Sequence, residues 1–148
     1  MNNKSFITEH YQLVKVENII FTKWCKKYNI LYMEAHLLLS IDESSGISEP
    51  TKLSESLLIP KQSITSLLDK LEKKEYIIRT HSAEDRRKIN ITLTENGKKI
   101  VDTIRHAFDL TEQEILKQLD IKEINHMLNT YKNIIEITEK KLLGLDDE

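Results

Sequence analysis

A chain of 148 residues can bury a hydrophobic core without disulfides or a structural metal, and 3 Gly with 2 Pro supply too little turn chemistry for an all-β fold. The lone Cys25 closes no intramolecular disulfide, no charged-then-apolar leader opens the chain, and no run approaches the ~18 apolar residues of a membrane span, so a helix-rich cytoplasmic protein is expected. The formal net charge of −2 gives no overall attraction to a polyanion.

The first helix is predicted over 6–28, where Phe6, Leu13, Ile20, Phe21, Trp24 and Tyr28 recur near helical spacing, with Ile7 and Val14 beside them. A second spans 32–42, with Met33, Leu37, Leu38 and Ile41 expected to be buried, and ends in Asp42-Glu43-Ser44-Ser45-Gly46, where Gly46 is the turn residue. A short third helix is placed at 51–58, capped by Thr51 or Ser48, its inner side made by Leu53, Leu57 and Leu58. Pro60 disfavours helix at Ile59 and suits the first turn of the next helix.

Residues 61–74 form the clearest amphipathic helix. Ile64, Leu67, Leu68 and Leu71 stand at i, i+3, i+4 and i+7, with Gln62, Thr65, Ser66, Asp69 and Lys73 on the opposite side. Two helices joined by so short a turn are a helix-turn-helix signature. Tyr76-Ile77-Ile78 and Ile89–Leu93 then read as two short strands, the second alternating Ile89, Ile91 and Leu93 against Asn90 and Thr92. The polar segment Thr80–Lys88 between them completes a wing.

Helical periodicity returns after Thr94, a suitable N-cap, with Ile100, Ile104, Phe108 and Ile115. It breaks near Asp120 and resumes through Ile121, Ile124, Leu128, Tyr131, Ile135, Thr138 and Leu142, with a second stripe at Met127, Ile134 and Ile137. The stub from Gly144 to Glu148 is expected to fray. So much apolar surface exceeds what one chain can cover, and a homodimer with two-fold symmetry is the expected solution, an isolated bundle being the alternative.

Charge divides the chain in the same way. Residues 51–99 carry 11 Lys and Arg against 7 Asp and Glu, whereas the rest of the chain carries 11 against 17. Helix 61–74 and segment 79–88 each hold 4 basic and 2 acidic residues. That clustering hints at a polyanion-facing module on an acidic frame, a solvated charged face being the other reading.

The stretch KLSESLLIPKQSITSLLDKLEKKEYIIRTHSAEDRRKINITLTENGKK resembles the DNA-binding core of the MarR family of winged helix-turn-helix transcriptional regulators. The strongest match is Asp85-Arg86-Arg87 followed by Leu93-Thr94-Glu95-Asn96-Gly97, similar to that family's wing motif. The flanking helices agree in length and position, so the resemblance covers the chain in architecture and about a third of it in sequence detail. It implies a single domain over 1–148, mainly α with a small β-wing. The winged helix-turn-helix would occupy about 45–99, with dimerisation helices at 1–30 and 100–144. Two positions depart from the pattern: Glu75 and Leu58 stand where glycine is usual. A non-glycine residue costs roughly 1 kcal/mol if a left-handed turn is kept, so the exit turn at Glu75 is free to differ.

The function so implied is sequence-specific binding of double-stranded DNA, as a repressor on a pseudo-palindromic operator with half-sites ~34 Å apart. Exposed residues at the start of the recognition helix meet base edges: Lys61, Gln62, Ser63, Thr65 and Ser66. Gln62 suits adenine and the Thr65 methyl suits thymine. In the wing, Arg79, Arg86, Arg87 and Lys88 are the DNA-binding candidates. The resemblance places Arg87 in the minor groove, whose concentrated negative potential attracts guanidinium, and gives Asp85 a structural role through pairing with an Arg.

The resemblance also implies an effector site between the dimer helices and the winged domain, for which Trp24, Tyr28, Tyr32 and His36 are the candidates; ordinary core packing is the other reading. Cys25, with Lys23, Lys26 and Lys27 nearby, is a candidate redox thiol, although relatives that sense peroxides carry theirs near the start of the first helix. Cys25, Glu34, His36 and His106 are a weaker zinc alternative, without close ligand spacing. No cofactor is expected. An enzyme is disfavoured by the lack of Gly-rich loops, paired carboxylates or a nucleophile elbow, and a winged-helix protein-interaction module stays open.

Overall fold

The computed structural model describes residues 5–44, 48–83, 85 and 87–144; the expected turn residue Gly46, the expected wing contact Arg86 and the last four residues of the stub lie outside them. The chain divides into two units, Met1–Ile104 and Arg105–Glu148. The first holds α1 (Phe6–Lys27), α2 (Tyr32–Glu43), α3 (Pro50–Ser56), α4 (Lys61–Lys73), β1 (Ile77–His81), β2 (Ile89–Leu93) and the start of α5 (Glu95–Gln118). The second holds the rest of α5 and α6 (Ile121–Leu143). This is a winged helix-turn-helix, mainly α with a two-stranded antiparallel wing.

The 3.6-residue stripe of α4 fixes the module. Ile64, Leu68 and Leu71 are buried and Leu67 half-buried, joining Leu37, Leu38 and Ile41 of α2 and Leu53 of α3 in one core. Ile77 and Ile91 bring the wing into that core, and Val101 brings the start of α5. Each such side chain contributes roughly 1.5–3 kcal/mol by leaving water. Met33, expected inside, is only half-buried, because it lines a surface hollow with residues of α4.

The helix-turn-helix turn departs from expectation. Pro50 occupies the first turn of α3, as suits a residue with no N–H to offer, so neither Ser48 nor Thr51 caps it. Ser48 instead makes an isolated antiparallel bridge to β2, donating to the Ile91 carbonyl at 3.0 Å and accepting from the Ile91 N–H at 2.8 Å. Leu58, expected on the inner side, is 91% exposed and left-handed, with φ 52°. Ser54 Oγ donates to the Ile59 carbonyl at 2.6 Å and tightens the same turn.

Glu75 keeps the left-handed exit from α4 with φ 58°, so the glycine geometry survives without glycine. Thr94 explains how. Its hydroxyl donates to the Glu75 carbonyl at 2.6 Å and its N–H to the Tyr76 carbonyl at 3.0 Å. The same hydroxyl accepts from the Gly97 N–H at 3.0 Å, which makes Thr94 the N-cap of α5. Gly97 is required by packing, since a Cβ there would lie 2.0 Å from the Tyr76 carbonyl oxygen.

In the second unit, Asp120 caps α6 by accepting from the Lys122 N–H at 2.7 Å, and Gly144, expected to fray, closes the helix in the left-handed conformation. No residue of α6 is buried. Leu128 and Ile135 are about half exposed and Leu142 79% exposed.

Candidate nucleic-acid interface

The buried stripe of α4 forces its other side outward, and Lys61, Gln62, Ser63, Thr65 and Ser66 are all exposed. Pro60 stands at the N-cap, so the first turn begins without a side-chain cap and leaves N–H groups at the helix's positive end. Thr65 Oγ1 donates back to the Lys61 carbonyl at 3.0 Å, a bond that orients its hydroxyl along the helix. Gln62, Ser63 and Ser66 border a hollow of about 520 Å³ that Met33 and Ile59 close on the inner side.

The wing is a regular antiparallel pair with Ile77 opposite Leu93 and His81 opposite Ile89. Its first strand runs three residues past the expected Ile78, taking in Arg79, Thr80 and His81. At the tip, the Asp85 carboxylate accepts from the Arg87 N–H at 2.9 Å, and the Asp85 carbonyl accepts from the Lys88 N–H at 2.9 Å. The Asp85 contact to residue 87 is therefore made to its backbone, and it folds the turn that carries the exposed Arg87 side chain. Lys88 is exposed, with Nζ 3.9 Å from a Glu49 carboxylate oxygen.

Arg79 is placed differently from Lys61, Arg87 and Lys88, which are exposed. Its Nε donates to Glu72 at 2.9 Å and its Nη2 to Asp69 at 2.7 Å, and Nη2 also meets Glu72. Its hydrogen bonds hold the Glu72 carboxyl below its ordinary value, and Glu72 in turn raises the already high value of Arg79. The guanidinium thus ties β1 to α4 and pairs with two acidic side chains that stay 58% and 40% exposed.

The aromatic candidates do come together. Trp24 lies 4.7 Å from Tyr28 and Tyr32 lies 4.5 Å from His36, ring centre to ring centre. Phe21, counted in the stripe of α1 but not among the site candidates, links them by stacking on Trp24 and meeting Tyr32 and His36 edge-on. Tyr32 Oη donates to Asn18 at 2.9 Å, whereas His36 Nε2 is buried without a hydrogen-bond partner among the described residues. Burial holds the His36 imidazole below its ordinary value.

Cys25 is fully buried and burial pushes its thiol up, which opposes the thiolate that redox sensing needs. Of the zinc alternative, Glu34 is already engaged by Lys74, and among the described residues no three His, Cys, Asp or Glu groups converge on one point. Sequence reading missed Glu34 as a structural residue, because its partner lies 40 positions away.

Comparison with known proteins agrees with this architecture. The MarR family model matches residues 32–89. The HTH-type transcriptional regulator SarZ of Staphylococcus aureus is 30% identical over 128 residues, covering 82% of this chain and 82% of its own length. Its Staphylococcus epidermidis counterpart is 33% identical over 101 residues, covering 64% and 68%. Among solved structures, Streptococcus pneumoniae FabT in complex with DNA superposes with a TM-score of 0.79 at 22% identity, covering 92% of this chain and 99% of its own. The S. aureus MepR–DNA complex gives 0.76 at 21% identity, covering 90% and 98%. Sequence likeness and fold thus agree: the chain belongs to the MarR family and is a winged-helix transcriptional regulator, not an enzyme.

Proposed function

We propose that this protein binds duplex DNA sequence-specifically as a homodimer and acts in the cytoplasm as a repressor on a pseudo-palindromic operator. The observation that carries the reading is the recognition face of α4, where five polar side chains stand exposed on a helix whose other side is locked into the core. The DNA complexes of the structurally similar FabT and MepR support it. Lys61, Gln62, Ser63, Thr65 and Ser66 enter the major groove, while Arg87, at the Asp85-folded tip, enters the minor groove and Lys88 meets phosphate. Arg79 serves by fixing the wing to α4. Among the described residues no helix is long and apolar enough to cross a membrane, and a membrane partner has no place in the reading.

The exposed apolar faces support the dimer. On α1, Phe6, Ile7, Leu13 and Ile20 are each 59–71% exposed, and α6 buries no residue of its own. A small-molecule effector would enter at Trp24, Tyr28, Tyr32 and His36, where the unpartnered His36 Nε2 offers one polar handle in an aromatic wall.

The residue roles separate by experiment. Gln62→Ala should relax preference at one position per half-site by ~1–3 kcal/mol, whereas a uniform loss across sequences would make Gln62 a phosphate contact. Arg87→Ala should cut affinity while leaving the dimer and its melting intact; unchanged affinity would remove its role.

A further inference from the structure

Glu34 is 1% exposed, and its carboxylate accepts from Lys74 Nζ at 2.6 Å and from the Leu31 N–H at 2.8 Å. Lys74 Nζ also donates to the Asn29 carbonyl at 2.9 Å. Lys74 is the C-cap of the recognition helix, Leu31 the N-cap of α2, and Asn29 the left-handed residue that turns α1 into α2. One ammonium therefore holds the end of α4 to the corner between α1 and α2. The next residue, Glu75, carries the strained exit turn that Thr94 latches to the start of α5.

With Glu34 buried and Lys74 28% exposed, the pair is a weak source of stability, because desolvation of the carboxylate offsets the attraction, yet its geometry tolerates little displacement. Two apolar side chains here would allow α4 to slide; the charge pair with its two further hydrogen bonds has one low-energy arrangement. We infer that Glu34 and Lys74 are positioning residues for DNA binding, fixing the tilt of α4 so that both recognition helices of the dimer meet their grooves together. The inference rests on the DNA-binding reading.

The test uses the sign of a charge. Glu34 is too buried to touch DNA, and Glu34→Gln removes one negative charge from a protein that binds a polyanion. General electrostatics then predicts unchanged or tighter binding. Positioning predicts weaker binding, by about tenfold, with the salt slope unchanged because no phosphate contact is lost. Discrimination between the preferred half-site spacing and spacings one base pair longer or shorter should shrink as well. The double variant Glu34→Gln/Lys74→Met also removes the ammonium left without its carboxylate, so it should regain any folding lost by the single change while still binding weakly.

The measurement is affinity per folded dimer for full-length protein on duplexes of three spacings across a salt series. Weaker binding by both variants, at wild-type salt slope and with flattened spacing preference, supports the inference. Wild-type affinity and spacing preference in the folded double variant overturns it. If wild-type protein itself prefers no duplex, the DNA reading fails first, and the positioning role falls with it.

Discussion

Leu58 and Glu75 hold left-handed conformations that side chains with a Cβ adopt at a cost of roughly 1–2 kcal/mol each. Leu58 is 91% exposed, so its side chain gains no packing to offset that cost. Leu58→Gly should therefore raise stability by about 1 kcal/mol and Leu58→Val should lower it by a similar amount, since branching at Cβ worsens the clash. Denaturant titration checks both, and equal effects would mean that the turn is not strained. His36 gives a second prediction at this scale. Burial depresses its folded-state value, so as pH falls below the ordinary imidazole value the unfolded chain takes a proton that the folded chain refuses. Its contribution is present near neutrality and lost on acidification. His36→Phe should flatten the fall in stability between about pH 7 and about pH 5, and an unchanged acid limb would contradict the assignment. Of these residues, the sequence marked Leu58 and Glu75 only as missing glycines; that the turns persist depends on Thr94 and Ser54, whose hydroxyls reach carbonyls that no periodicity reveals.

At the scale of elements, the helices were legible because burial imposes a 3.6-residue repeat that the side chains must obey. The stripe of α4 and the strand at Ile89–Leu93 are found where the pattern put them. The wing's first strand was read too short, because Arg79, Thr80 and His81 lie on a two-stranded ribbon with little to bury and so carry no alternation. The Ser48 bridge left no signal, since a single pair of residues has no period. Arg79 is a DNA-binding candidate on charge, and the fold pairs it with Asp69 and Glu72, which no sequence period reveals. Exposed pairs of this kind contribute only about 0–1 kcal/mol to stability, so their effect should appear in binding. Arg79→Ala should weaken DNA binding by leaving two exposed carboxylates without their neutralising partner. Adding Asp69→Asn and Glu72→Gln should restore affinity, whereas a direct phosphate contact by Arg79 would leave the triple variant as weak as the single one.

For the whole molecule, the surplus of apolar surface on α1 and α6 was readable as two stripes where one suffices, and those side chains stand exposed. Ile135→Glu, on the stripe shared with Leu128 and Leu142, should convert the proposed dimer to monomer at micromolar concentration and abolish tight DNA binding, while helix content stays the same. Sedimentation equilibrium reads the first effect, and a monomeric wild type would remove the dimer from the account. Selection of binders from a random duplex pool, with the winners titrated across a salt series, bears most directly on sequence-specific recognition. The account predicts an enriched two-fold-symmetric site bound by one dimer, with affinity that falls steeply as salt rises. Weak binding to every duplex with no enriched sequence would contradict it, and the basic face of the winged module would then be a surface for another partner.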